Sequence, residues 1–91
     1  MDLSKVRISL SPKVSWQRIE DKIIVVNPEE RKMHILAESG TSIWECLTTP
    51  KSIDEVVALI SKEYEVDVSC ARRDIQDFIV ILKDKNLVIF K

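Results

Sequence analysis

Three side chains in this sequence are of the kinds that hold metals or attack substrates: His34, Cys46 and Cys70. A zinc site takes four ligands, with cysteines paired at short spacings. Here the two cysteines are far apart, His34 is the single histidine, and no fourth ligand stands at a standard spacing. A disulfide needs its sulfurs close in space, which spacing alone does not establish. Without one, the cysteines read as two reduced, mostly buried thiols. Adjacent carboxylates at Glu29-Glu30 and Asp54-Glu55 could do acid–base work, yet each pair has a turn or helix-cap explanation. Gly40 is the only glycine, so there is no glycine-rich phosphate loop. No nucleophile has a base beside it. The sequence reads as that of a protein that is not an enzyme, with no metal and no cofactor.

Length and composition bound the rest. A chain of 91 residues makes one small domain. Its 45% hydrophobic content is enough for one core and too much for a disordered segment. Fourteen basic residues stand against fifteen acidic ones, a net charge of −1, which argues against a nucleic-acid binder that relies on neutralising phosphates. No apolar run approaches the roughly 20 residues of a membrane span. The segment from Met1 to Val14 lacks the apolar stretch of a signal peptide, so the expected location is the cytoplasm.

The elements that must carry any site come in a clear order. Residues 1–13 read as an N-terminal arm and residues 14–91 as the domain proper. Within the arm, Val6, Ile8 and Leu10 alternate with Arg7 and Ser9, as in a strand. Such an arm can pair with the sheet or with a second copy, which would make a homodimer. Pro12 then interrupts it.

Val14–Ile19, Ile23–Val26 and Lys32–Leu36 read as three strands of an antiparallel meander, with turns at Glu20-Asp21-Lys22 and Asn27-Pro28-Glu29-Glu30. Three helices follow. The first, capped by Ser39 or Thr41, runs to about Thr48 before Pro50. The second opens on the capping box Ser52-Ile53-Asp54-Glu55. The third starts at Asp67 or Ser69 and ends near Lys85, with Asn86 as a left-handed cap. Leu87 to Phe90 can add a last short strand. The class is α+β: a three-stranded antiparallel sheet followed by three helices.

Two surfaces in this arrangement suit binding. The third helix has a core stripe of Ala71, Ile75, Phe78, Ile79 and Leu82. Val80 and Ile81 fall outside it. At about 100° per residue, Ile81 lies beside Asp74 and Asp77, and Val80 beside Arg73, Asp77 and Asp84. Apolar side chains ringed by both charge signs can form one wall of a peptide groove, with Arg73, Asp74 and Asp77 selecting charge. The third strand offers the other wall. An edge strand with unpaired backbone accepts an extended peptide as a further strand. Arg31, Lys32, Met33, His34, Ile35 and Leu36 would supply that edge, with His34 and Leu36 on one face and Met33 and Ile35 on the other. Trp16 and Trp44 read as core or core-edge residues.

The order of motifs from Val14 to Val88 resembles the PqqD-like family. The residues that carry the likeness are His34-Ile35-Leu36 at a strand end, Ile43, Trp44, Glu45 and Leu47 in the first helix, and Ser52 to Val56 at the second helix start. Asp74-Ile75, Phe78 and Leu82 in the third helix and Asn86-Leu87-Val88 at the close complete it. The sequence departs from the family pattern at Ala37, where many relatives have Asn, and at Thr48-Thr49-Pro50-Lys51, where many have Gly.

The resemblance implies a winged-helix-like fold and a non-catalytic role. A leader peptide of a ribosomally made precursor would bind as an added strand between the third strand and the third helix. The module would present it to a radical S-adenosylmethionine enzyme, a protease or a cyclase. The expected contacts are Arg31 to Leu36 on the strand, and Arg73, Asp77, Val80, Ile81 and Asp84 on the helix. The rival is a winged-helix DNA binder or scaffold, for which Arg72 and Arg73 are the best residues and Asp74, Asp77 and Asp84 the obstacle.

Overall fold

The computed structural model describes residues 6–91; the start of the arm, residues 1–5, lies outside the described residues. The elements are β1 (Arg7–Leu10), β2 (Ser15–Ile19), β3 (Lys22–Asn27), β4 (Lys32–Ala37), α1 (Ser39–Cys46), β5 (Lys51–Ser52), α2 (Ile53–Tyr64), α3 (Val68–Asp84) and β6 (Val88–Phe90). They build two three-stranded antiparallel sheets, β2-β3-β4 and β5-β1-β6, with three helices. The α+β class and the meander agree with the sequence pattern.

The meander follows from local chemistry. Ile19 pairs with Lys22, so Glu20 and Asp21 make a two-residue turn, with Glu20 at φ 57°. At the next turn the buried Asn27 accepts backbone hydrogen bonds at its Oδ1 from Glu29 (3.1 Å) and Glu30 (3.4 Å). This Asx-type arrangement brings Asn27 opposite Lys32. On β3, Ile23 and Val25 are fully buried, while Ile24 is half-buried and Val26 exposed on the other face.

Two strands of the second sheet were expected from the sequence, but not their pairing with each other or with β5. β1 is its central strand: Ile8 pairs with Lys51 of β5 on one side and with Phe90 of β6 on the other. Ile8 is fully buried in the core. Pairing inside the chain is therefore what the alternating residues 7–10 adopt, and both edges of β1 are occupied. The sheet ties the start, middle and end of the described chain together, with Arg7 and Lys91 exchanging backbone hydrogen bonds of 3.0 and 2.8 Å.

Trp44 sits at the centre of the core with no exposed surface. It shares one buried core cluster with Ile43, Leu47, Ile53, Val56 and Ile79. Trp16 meets it edge-on from β2, with ring centroids 6.1 Å apart, and stays 38% exposed. One tryptophan is thus core and the other core edge, and the pair joins sheet to helix.

Helix ends follow the pattern with one exception. Ser52 and Glu55 form the reciprocal capping box of α2. Asp67 caps α3 by accepting from the amides of Ser69 and Cys70. Asn86 takes φ 60° after α3. The exception is α1. Neither Ser39 nor Thr41 caps it; the N-cap position is Glu38, at φ 55°, and its side chain caps nothing. Thr41 instead turns its hydroxyl back to donate to the Glu38 carbonyl at 2.7 Å. The strand runs so close to the helix that the turn falls one residue earlier than the Ser/Thr pattern predicts.

Ser52→Ala is expected to destabilise the fold by about 1 kcal/mol, the usual weight of an N-cap hydroxyl, read from urea unfolding. The Glu55 carboxyl is held below its ordinary range, first by the Ser52 backbone amide and then by the Ser52 hydroxyl, with smaller help from Arg7 and Lys51. A carboxylate of lowered pKa stabilises above its unfolded-state pKa, and the gain is lost as pH falls through its folded pKa. The stability gap between wild type and Glu55→Gln should therefore be present at neutral pH and close in acid, below the ordinary carboxylate range.

Candidate functional site

β4 pairs with β3 alone, so its other edge carries unpaired backbone groups. Its pleat turns Leu36 (8% exposed) and the half-buried His34 inward, and Met33 (62%) and Ile35 (59%) outward. The His34 ring sits with its Nε2 shielded and without a hydrogen-bond partner. Arg31 precedes the strand at φ 55°, and Glu38 follows it at φ 55° and ψ −130°. Two left-handed residues thus bracket the edge and turn the chain away sharply at both ends.

At the far end of β4 the chain enters α1 directly. Its first turn holds Gly40, and a Cβ there would lie 3.1 Å from Phe78 Cζ and 3.9 Å from Leu36 Cβ. The glycine is needed for close approach: it lets Phe78 of α3 lie against the start of α1. Beside this contact opens a cavity of about 430 Å³. One wall is Ala37 to Gly40, leaving β4; another is Ile60, Tyr64 and Val66 at the end of α2; the third is Ala71, Asp74, Ile75 and Phe78 of α3. The Tyr64 hydroxyl shares a 2.8 Å hydrogen bond with the Ser42 hydroxyl, fixing the α2 wall to α1. The lining is mostly apolar, and the open backbone edge of β4 leads to it.

Of the residues expected from sequence, Asp74, read there as selecting charge, lines this cavity, and the eleven expected peptide contacts do not. Arg31 to Leu36 form the edge strand and the turn before it, as expected. On α3, Ile81 continues the stripe of Asp74 and Phe78, at spacings i, i+4 and i+7. It is 49% exposed and extends the apolar wall beyond the cavity. Arg73, Asp77, Val80 and Asp84 share the next stripe round, all exposed. Phe78, assigned to the core stripe from sequence, packs half-buried against the core and also lines the cavity. Ala37, Gly40, Tyr64 and Val66 were not singled out. The lone glycine at a helix start was the one signal that pointed there.

The arrangement offers an open backbone edge and a mostly apolar cavity. Among the described residues no three His, Cys, Asp or Glu side chains gather as a metal site. Both cysteines are free; Cys46 is half-buried, but Cys70, expected to be mostly buried, is exposed at the first turn of α3. Burial pushes the Cys46 thiol up, which Lys51 only partly offsets, so it is a poor thiolate. Of the two arginines a DNA reader would use, one is committed elsewhere. Arg72 is paired with Asp54 of α2, while Arg73 is exposed and makes no ion pair among the described residues. No helix of the described residues is long and apolar enough to cross a membrane.

Residues 22–88 match the family model described as coenzyme PQQ synthesis protein D (PqqD). No curated protein matches the sequence. Two solved structures are similar. One is TbiB1 in complex with the TbiA(beta) leader peptide, at 30% identity and TM-score 0.83, covering 88% of this chain and 93% of that one. The other is lasso peptide synthetase B1 complexed with the leader peptide, at 22% identity and TM-score 0.80, covering 90% and 96%. The second likeness is one of fold.

Glu38 holds a backbone conformation that favours glycine. Such a residue costs of order 1–3 kcal/mol, and glycine gives back roughly 0.5–1 kcal/mol through the unfolded chain. Glu38→Gly is expected to raise stability by about 1 kcal/mol in urea unfolding.

Proposed function

This chain belongs to the coenzyme PQQ synthesis protein D (PqqD) family, and we propose that it is a non-catalytic module that holds the leader of a ribosomally made precursor peptide. The leader adds as a strand to the open edge of β4. Its inward side chains meet the cavity between the start of α1 and α3. The bound peptide is then presented to a modifying enzyme, of the radical S-adenosylmethionine, protease or cyclase classes, in the cytoplasm.

The observation that carries this reading is the junction of an unpaired strand edge with an apolar cavity at its end. An extended peptide needs both. Backbone hydrogen bonds to the edge supply affinity, and pockets for alternate side chains supply specificity. TbiB1, a relative at 30% identity, is solved with a leader peptide, which supports the same class of ligand here. Within this reading Arg31 to Leu36 are the strand wall and Ile81, with Phe78 behind it, is the helix wall. Arg73, Asp77, Val80 and Asp84 lie at its outer rim.

Ile81→Asp tests the placement, because Ile81 is half exposed and its loss leaves the core intact. Affinity for a fluorescently labelled leader of the cognate precursor is expected to fall about tenfold, a cost of about 1.4 kcal/mol, with unchanged unfolding temperature. Normal binding, or a variant that fails to fold, would count against the helix wall.

A further inference from the structure

Two of the side chains around the cavity are charged, Glu38 and Asp74, and both are acidic. They come from different elements: Glu38 from the turn after β4, Asp74 from the first half of α3. Both are exposed. The four ion pairs among the described residues use Glu55, Glu29, Glu45 and Asp54, so neither Glu38 nor Asp74 is neutralised by a basic partner.

Neither has a structural task that explains its charge. Asp74 is well inside α3 and caps nothing; Asp67 does that. Glu38 precedes α1, where a negative charge suits the helix dipole. Its side chain nevertheless accepts no capping hydrogen bond, and its backbone occupies a conformation in which glycine would be less costly. An apolar cavity whose mouth carries two unpaired carboxylates and no cation is complementary to a particular side-chain pattern. The cavity takes an apolar group, and the mouth takes a positive charge beside it.

We propose that this groove selects leader peptides in which a Lys or Arg stands two residues from an apolar anchor, with the cation held between Glu38 and Asp74. This rests on the strand-addition reading above. In an extended peptide, side chains on one face recur every second residue, about 6.6–6.8 Å apart. A residue two positions from the anchor therefore reaches the mouth of the cavity that the anchor fills. The intervening residue points to the outer face of the sheet and is free to vary. The carboxylates act as a charge filter, since a like charge at that position would be repelled.

The test is selection of random dodecapeptides displayed on phage against the immobilised full chain and, in parallel, against the Glu38→Gln/Asp74→Asn double variant. Both substitutions are at exposed positions. Peptides taken by the wild type are expected to carry an apolar residue with Lys or Arg two positions away. Those taken by the double variant should keep the apolar residue and lose the basic one. For one selected peptide, the double variant is expected to weaken binding about threefold to tenfold at low salt, the range of two exposed ion pairs. Asp74→Lys should reverse the preference toward a Glu-substituted version of the same peptide. Apolar anchors without basic enrichment, or equal affinity for the double variant, would overturn the charge filter and leave the groove standing. Selected peptides whose binding survives Ile81→Asp, or no selectable peptide at all, would overturn the strand-addition reading and the filter with it.

Discussion

A strand at the edge of a sheet has amides and carbonyls on one side with no partner in the chain, and the site of this protein is organised around where β4 leaves them. An unpaired edge invites association, so natural proteins shorten it, cover it or use it. Here β4 is six residues long and ends abruptly at both sides, at Arg31 and Glu38. Its inner face is anchored by Leu36, next to the Gly40–Phe78 contact. The edge is held rigid by the core behind it and left open in front. Trp44 joins α1 to the sheet through its edge-on contact with Trp16, and it is fully buried in the same core cluster as Ile53 of α2 and Ile79 of α3.

The cavity follows from the same constraint. Because the chain passes from β4 into α1 through a single sharp turn, the helix start lies against the strand end. α3 crosses close enough to need a glycine at position 40. Tyr64 and Val66, where α2 gives way to α3, close the third side. Three elements distant in sequence thus converge at the end of the edge. Burial raises the Cys46 thiol, and neither cysteine nor His34 lines the cavity. On the proposed reading, this surface holds a chain by its backbone and chooses it by its side chains.

Local rules made some of this legible in the sequence. The Ser52–Glu55 box, the Asp67 cap, the Asn86 turn and the alternation of β3 and β4 depend on neighbours within a few residues, and they stand where the pattern put them. The pairing of β1 with β5 and β6 was not legible, because these strands are two to four residues long and join the start of the chain to its middle and end. The start of α1 was misread because Ser39 and Thr41 look like caps, while the turn geometry assigns that place to Glu38. On α3, periodicity separated apolar stripe from charged stripe correctly. It could not say which flank of the helix lies beside the cavity, where Asp74 and Phe78 are found.

Backbone amide exchange would test the account most directly. The isotope-labelled chain would be followed by NMR, alone and with the synthetic leader of its cognate precursor. Strand addition predicts that alternate amides of β4, the ones pointing to its open edge, become protected on binding. Resonances of Ala37 to Gly40 and Phe78 should shift at the same time. Protection confined to the β2 edge, or binding that leaves the β4 amides exchanging as before, would contradict it.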